Sequence, residues 1–82
     1  MNSDDNVYVV LGTKEFNKTR IYQPMIYTIS SSLEEAKIIG EKYFQENPNE
    51  FVSIEEWKIN SCNDIMSNIW ELDRKTFEWL LE

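Results

Sequence analysis

The sequence contains no histidine and only one cysteine, Cys62. Histidine is the commonest general base and the commonest metal ligand, so its absence removes the usual route to acid–base catalysis near neutral pH. A single cysteine without histidine cannot supply the four ligands of a structural zinc site, and it cannot form an intramolecular disulfide. We therefore expect a non-catalytic protein with no metal site, no cofactor and an inert thiol at Cys62.

The chain also lacks long apolar runs and linker-like segments. Its longest uninterrupted apolar run covers residues 7–11, far below the ~20 residues that span a bilayer. The acidic N-terminal residues do not have the basic and then apolar pattern of a signal peptide. With two glycines, two prolines and a lone cysteine that suits a reducing compartment, the 82 residues are expected to form one domain, residues 1–82, in the cytoplasm.

Basic residues are scarce, since 8 lysines and arginines stand against 15 aspartates and glutamates, for a net charge of −7. Neutralisation of phosphates by lysine and arginine supplies most nonspecific affinity for nucleic acids and anionic membranes. Neither direct nucleic-acid binding nor membrane binding is therefore expected. A protein partner with a basic surface would instead be attracted, and it would associate faster at low salt.

Hydrophobic residues make up 41% of the chain and aromatic residues 13%, which favours a folded domain. Residues 6–12 (Asn-Val-Tyr-Val-Val-Leu-Gly) have the composition of a strand that ends at a glycine. This segment is apolar at both odd and even positions, which would face opposite sides of the sheet, and so predicts a central strand. Residues 13–19 are expected to form a loop or hairpin connection. A second strand is predicted at residues 25–29, where Pro24 either breaks the strand or marks a sheet edge.

The sharpest local signal is a helix start at Ser32, which can form a capping box with Glu35 three residues later. The spacing of apolar residues predicts a helix over residues 33–45 that ends before Asn47-Pro48-Asn49. Gly40 costs about 1 kcal/mol relative to alanine in a helix interior, and close packing on the sheet would account for it. The predicted apolar stripe consists of Leu33, Ala36, Gly40, Tyr43 and Phe44.

The C-terminal half is harder to interpret. Residues 51–59 predict a third strand whose apolar residues occur at both parities, so that a bulge or a two-sided strand is expected. Beyond it, the spacing of Ile65, Ile69, Leu72 and Leu80 fits a helix capped by Ser61 or Asn63. Alternatively, residues 69–72 and 77–81 are strands around an Asp-Arg-Lys-Thr turn. We favour a short strand or irregular stretch followed by a helix that begins at Asp73.

Together these elements predict a small α+β domain with β-β-α-β order. The expected architecture is an antiparallel sheet of three or four strands with one main helix packed on one face. A C-terminal strand, a short helix or both would complete it.

The two halves of the sequence differ in charge. From Glu46 onward nine acidic residues stand against three basic ones, a net charge of −6, whereas the first 45 residues have a net charge of −1. All three tryptophans lie in the acidic half. Aromatic side chains beside unbalanced negative charge favour a surface that binds a basic partner. The candidate partner-binding residues are Glu55, Glu56, Trp57, Trp70, Glu71, Asp73, Glu78 and Trp79.

Other interpretations remain open. The tryptophans are alternatively core residues, and the acids a solvated face that keeps a small protein soluble. A homo-oligomeric structural domain, paired through an exposed sheet edge or the tryptophan-bearing face, is the second hypothesis. A third is a binder of small ligands, or an enzyme that uses only carboxylates and tyrosine, and a deep pocket with a perturbed carboxylate would favour it. Glu55 and Glu56 would point to opposite faces of a strand and so would not share a proton.

Three segments carry a resemblance to a known group of proteins: Val-Tyr-Val-Val-Leu at residues 7–11, Ser-Leu-Glu-Glu-Ala at 32–36, and the strand at 51–57. In this pattern the chain resembles the small, uncharacterised acidic proteins of low-GC bacteria and their phages. The resemblance implies a small inhibitor of a host enzyme or defence system, in some cases one that imitates the charge of DNA. It also implies the cytoplasm of the host cell as the location of a phage-encoded protein.

Overall fold

The computed structural model describes residues 6–16, 21–59 and 65–82. Along the chain it contains β1 (Asn6–Phe16), β2 (Ile21–Ser30), α1 (Leu33–Glu46), β3 (Phe51–Lys58), β4 (Ile65–Leu72) and β5 (Trp79–Leu81). The strands form one antiparallel sheet in the order β2-β1-β3-β4-β5. This confirms a small α+β fold with an antiparallel sheet and one helix, although the sheet has five strands rather than three or four. Cys62 and the two predicted caps, Ser61 and Asn63, lie outside the described residues.

Strand β1 is flanked by β2 and β3, as its apolar character at both parities predicted. It is longer than expected, because residues 13–16 continue the ladder against residues 21–24 instead of forming a loop. Pro24 pairs with Thr13 inside β2, which is an edge strand, so the proline marks an edge and does not break the strand.

The core lies between α1 and one surface of the sheet. Its fully buried members are Val10, Ala36, Val52, Ile54 and Leu72. Since side chains alternate along a strand, residues 8, 10 and 12 of β1 face the helix together with residues 52, 54 and 56 of β3. We call this surface the helix face and the opposite surface of the sheet the open face.

Helix α1 begins and ends where the sequence predicts. The Ser32 hydroxyl accepts a hydrogen bond from the Glu35 backbone N–H at 3.3 Å, and Asn47 follows the last helical residue. All five residues of the predicted stripe are buried or pack against the core. A Cβ atom at Gly40 would lie 2.8 Å from Cη2 of Trp79, so a glycine is required for this close approach to β5.

The predicted helix from Asp73 is wrong, and the alternative of two strands around a turn is confirmed. The Asp73 carboxylate accepts hydrogen bonds from the backbone N–H groups of Lys75 and Thr76 at 2.8 and 3.3 Å. This closes a tight turn that returns the chain antiparallel to β4. The prediction was wrong after Asp73, because β5 is held in place by pairing with β4, which no local pattern encodes.

The mixed parity of residues 51–59 has two causes in the structure. Strand β3 is apolar on both faces, with Val52 and Ile54 in the core and Phe51 and Trp57 at the opposite parity. The ladder between β3 and β4 also shifts by one residue after Glu56, where Ser67 is left without a partner. The bulge therefore lies in β4. No helix in the described part of the chain is long and apolar enough to cross a membrane.

Candidate functional site

The structure divides the predicted partner-binding residues among three places. The helix face carries Glu56, Trp70 and Trp79, the open face carries Glu55, Trp57 and Glu71, and the turn between β4 and β5 carries Asp73 and Glu78. The division follows from strand alternation, because residues adjacent in sequence point to opposite faces of a sheet. One continuous surface cannot include all eight residues.

The two tryptophans on the helix face are packing residues. Trp70 lies against Tyr8 with ring centroids 6.3 Å apart, and both rings pack on the buried core. Trp79 contacts Gly40 of α1, and its indole N–H donates to a carboxylate oxygen of Glu41 at 2.9 Å. Trp79 thereby attaches the short edge strand β5 to the helix.

Glu56 is also on the helix face, with only 8% of its surface exposed. Its carboxylate accepts hydrogen bonds from the Asn68 amide at 2.6 Å, the Tyr8 hydroxyl at 2.9 Å and the Asn6 amide at 3.0 Å. These bonds, above all the one from Asn68, hold the pKa of Glu56 below its ordinary value, against the opposing effect of burial. The negative charge of Glu56 is thus stabilised by three hydrogen-bond donors inside the protein.

Asp73 and Glu78 shape the turn. The backbone hydrogen bonds that Asp73 accepts from Lys75 and Thr76 lower its pKa. The Asp73 backbone N–H donates to the carbonyl of Glu78 at 2.7 Å, which starts the pairing of β4 with β5. The side chain of Glu78 is exposed.

The open face contains a depression of about 390 Å³ over β3 and β4, which extends to Thr13 of β1 and to Glu82 after β5. Three carboxylates line it, from Glu55, Glu71 and Glu82. Its remaining lining includes aromatic, apolar and hydroxyl groups, among them Phe51, Ser53 and Ile69. We call the depression formed by these six residues the acidic pocket.

In the acidic pocket the Glu82 carboxyl lies close enough to Glu71 to raise the pKa of Glu71. A hydrogen bond to Glu82 is the largest of the effects that raise the pKa of Glu71, followed by partial burial and by the negative charges of Glu82 and Asp73. Two neighbouring carboxylates repel each other unless one of them holds a proton. A positively charged group in the pocket would remove the same repulsion.

Within the described ranges, no lysine or arginine forms an ion pair with Glu55, Glu71 or Glu82. The basic side chain at the rim, Arg74, lies against the pocket lining but bonds none of its three carboxylates. Its guanidinium lies 5.0 Å from the centre of the Phe51 ring, and its Nη2 donates to the Pro48 carbonyl at 2.6 Å. The three carboxylates of the acidic pocket therefore have no ion-pair partner in the described part of the protein.

Trp57 extends this surface along β3. Its indole N–H donates to the Glu55 carboxylate at 3.0 Å, which holds the ring on the open face beside the acidic pocket. Trp57 is half-buried and lies opposite Val7 of β1 and Met66 of β4. Met66 and, on β5, Leu80 are exposed. Apolar side chains thus flank the carboxylates on two sides.

The Glu71–Glu82 contact predicts a pH dependence of stability. Because the pKa of Glu71 is raised in the folded protein, its stabilising contribution is present below the ordinary glutamate value of 4.5 and is lost as pH rises through the folded-state value. Glu71→Gln keeps a hydrogen-bond donor at every pH. We expect this variant to be more stable than the wild type at neutral pH, with the difference shrinking towards pH 4.5.

Urea unfolding at several pH values measures this difference. The matched control is Glu78→Gln, which removes an equal charge from the exposed turn, and it should not show a gain that depends on pH in this way. A Glu71→Gln variant less stable than the wild type at neutral pH would contradict the proposed sharing of a proton.

Sequence reasoning missed four members of the acidic pocket: Phe51, Ser53, Ile69 and Glu82. Phe51 and Ser53 share the parity of Glu55, and Ile69 that of Glu71, so a correct assignment of β4 would have placed three of them together. The position of Glu82 could be predicted only from the register of the hairpin formed by β4 and β5. Its backbone N–H donates to the carbonyl of Ile69 at 2.9 Å, which brings the end of the chain beside Glu71.

In the described part of the chain, no group of three or more histidine, cysteine, aspartate or glutamate side chains is arranged to hold a metal ion. The candidate ligands of the acidic pocket are therefore organic cations and basic side chains.

Comparison with known proteins gives no match: no family model fits the chain, and neither a curated protein nor a solved structure is significantly similar to it.

Proposed function

We propose that the protein is a non-catalytic binding module whose open face takes a basic segment of a protein partner. A lysine or arginine side chain of that partner enters the acidic pocket, and apolar side chains beside it pack on Trp57 and Met66. The single observation that carries the proposal is the convergence of Glu55, Glu71 and Glu82 without an ion-pair partner among the described residues, next to exposed apolar groups. A cation would relieve the repulsion that now raises the pKa of Glu71.

Arginine suits the pocket better than lysine. Its planar guanidinium has five N–H donors and can bond two carboxylates at once. Tryptophan and arginine are also the residue types most enriched among binding hot spots. The face therefore offers an apolar anchor and a charged anchor on the same strand, β3.

The more specific form of the proposal is inhibition or sequestration of a basic host protein that handles nucleic acids. The net charge of −7 supports it, because such proteins present the basic surfaces that phosphate binding requires. The resemblance to small acidic phage proteins agrees with this role. The location that follows is the cytoplasm of the cell in which the partner acts.

The test compares two variants with the same net charge. Glu55→Gln/Glu71→Gln/Glu82→Gln neutralises the acidic pocket, and Glu34→Gln/Glu35→Gln/Glu46→Gln neutralises three exposed acids of α1. Proteins captured by the wild type from a bacterial lysate are identified by mass spectrometry, and one that binds is purified. Its dissociation constant is then measured by calorimetry with each variant at low and at physiological salt.

We expect the pocket variant to bind at least about tenfold more weakly, the α1 variant to bind nearly as well as the wild type, and affinity to fall as salt rises. If both variants weakened binding equally, the effect would come from net charge alone and not from the acidic pocket. The proposal would be overturned if the affinity for the partner changed neither in the pocket variant nor with ionic strength.

The perturbed Glu71 carboxyl favours one second candidate, a small organic cation as the ligand of the acidic pocket. Calorimetric titration with spermidine and with arginine amide tests it. Binding of either compound at micromolar concentration, lost in the pocket variant, would support the small ligand. Absence of binding would leave the protein partner as the proposed occupant.

A further inference from the structure

Strand β2 forms one edge of the sheet, and its outer side pairs with no described strand. It is 10 residues long, and the backbone N–H and C=O groups on the outer side of such a strand are a template for pairing with another chain. The opposite edge, β5, has only three residues and lies between Glu78 and Glu82. Short length and a charge at each end guard β5 against pairing, whereas β2 is long and has a charged neighbour, Arg20, only before its first residue.

The composition of β2 is unusual for an exposed edge. No charged residue occurs between Arg20 and Glu34, which is the longest uncharged stretch of the sequence. Four large apolar side chains in this stretch are 48–64% exposed: Met25, Ile26, Tyr27 and Ile29. Natural proteins usually place lysine or another charge on such a strand to prevent association. Here a chain of net charge −7 keeps its edge neutral and apolar.

Apolar groups occur on both sides of the strand. Ile26 and Ile29 pair with Leu11 and Val9 and so lie on the open face. Met25 pairs with Gly12 on the helix face, and the Tyr27 ring lies 4.5 Å from the ring of Tyr43 in α1. The irregularity of the ladder between Val10 and Leu11 places Tyr27 and Thr28 on the same side. A strand added to this edge would therefore bury side chains above and below the sheet.

We propose that the occupant of this edge is a second copy of the chain, which pairs β2 antiparallel to its own β2 around a twofold axis. The resulting sheet has ten strands. Because the axis of an antiparallel pair is perpendicular to the sheet, both helices lie on one side and both open faces join on the other. Residues 25–30 form the centre of the contact, because Pro24 has no backbone N–H to donate to an added strand.

Charge favours a second copy over a basic partner at this edge. A neutral strand offers a basic segment no electrostatic attraction, whereas two neutral strands meet without carboxylates between them. Strands lie ~4.8 Å apart, so the acidic pockets of the two copies would be roughly 30–40 Å from each other. The Debye length is about 10 Å at 0.1 M salt, so their repulsion is screened. This inference concerns the opposite edge of the sheet from the acidic pocket and is independent of the proposed function.

Sedimentation equilibrium of the full chain over a dilution series from millimolar to low micromolar concentration tests the proposal. The edge variant is Ile26→Lys/Ile29→Lys, in which both substituted side chains are exposed and contribute little to the fold of one copy. The matched control is Ile38→Lys on α1, where the isoleucine is 68% exposed. Circular dichroism verifies that each variant is folded.

We expect the wild type and Ile38→Lys to approach twice the monomer mass at high concentration and to dissociate on dilution. The edge variant should remain a monomer, with its dissociation constant raised at least tenfold. Amide hydrogen exchange in residues 25–30 should slow with concentration in the wild type alone. A wild type that is monomeric throughout, an edge variant that still forms dimers, or equal disruption by Ile38→Lys would overturn the proposal. No binding partner enters these measurements, so their failure leaves the proposed function untouched.

Discussion

Ile54→Ala should remove about 3–4 kcal/mol from the free energy of unfolding, because it empties the centre of the core. The Ile54 side chain has no exposed surface. It lies on the helix face of β3, between Val10 of β1 and Trp70 of β4. The alanine would lose the transfer free energy of three carbon atoms and leave a cavity that the surrounding strands cannot close. A protein of this length has a total stability of roughly 4–12 kcal/mol, so the loss would be a large part of it.

Chemical denaturation measured by tryptophan fluorescence gives the difference directly. Ile54→Val removes one methylene at the same position and should cost only about 0.5–1.5 kcal/mol. Ile38→Ala makes the same isoleucine-to-alanine change at an exposed helix position and should stay within about 0.5 kcal/mol of the wild type. If Ile54→Ala and Ile38→Ala had similar effects, the position of the core between α1 and β3 would be wrong.

Glu56→Ala should cost about 2–3 kcal/mol, although it removes a buried charge. Hydrogen bonds to a charged acceptor contribute more than neutral ones, and the loss of the shared acceptor leaves three donors unpaired in a mostly buried site. Those donors are the Tyr8 hydroxyl and the side-chain amides of Asn6 and Asn68. Two of them lie on β1 and the third on β4, so the carboxylate links β1 to β4 across β3.

The charge of Glu56 also predicts loss of stability in acid. Since the pKa of Glu56 is lowered in the folded protein, its contribution is present above the ordinary value of 4.5 and is lost as pH falls through the folded-state value. Glu56→Gln should be more stable than Glu56→Ala and should lack this acid-side loss. The Oδ1 atom of Asn6 is buried without a partner, so a flip of its amide could accept from the new glutamine.

Urea denaturation from neutral pH down to about pH 3 distinguishes these variants. Glu55→Gln, one residue earlier on the open face, is the matched control for removal of a charge. Equal stability of Glu56→Ala and the wild type would contradict the role assigned to the carboxylate. So would an acid-side loss that persists in Glu56→Gln.

The N-terminal two thirds of the fold were predictable because their signals are local. A capping box at Ser32 and a strand pattern at residues 6–12 each specify a structure within a few residues, whereas Pro24 left a strand break and a sheet edge as alternatives. The C-terminal part was not predictable in the same way. The spacing of Ile65, Ile69 and Leu72 suits a helix and a strand alike, and the choice depended on the free edge of β3.

The candidate site was predictable only in its composition. Charge counting drew attention to the acidic half and selected Glu55, Trp57 and Glu71, which lie on the open face. The same counting also selected Glu56, Trp70 and Trp79, which strand alternation turns towards the helix. It did not find Glu82, because its place beside Glu71 depends on the register of the last hairpin.

The sequence by itself determined the elements with local signals, the acidity of the chain and the absence of histidine chemistry. The tertiary structure alone decided which carboxylates are neutralised by internal donors and which converge without a cation. It also decided that the uncharged stretch before α1 lies at an open sheet edge. The physical reason is that charge and hydrophobicity are properties of each residue, whereas strand pairing between distant segments determines which residues face the same side.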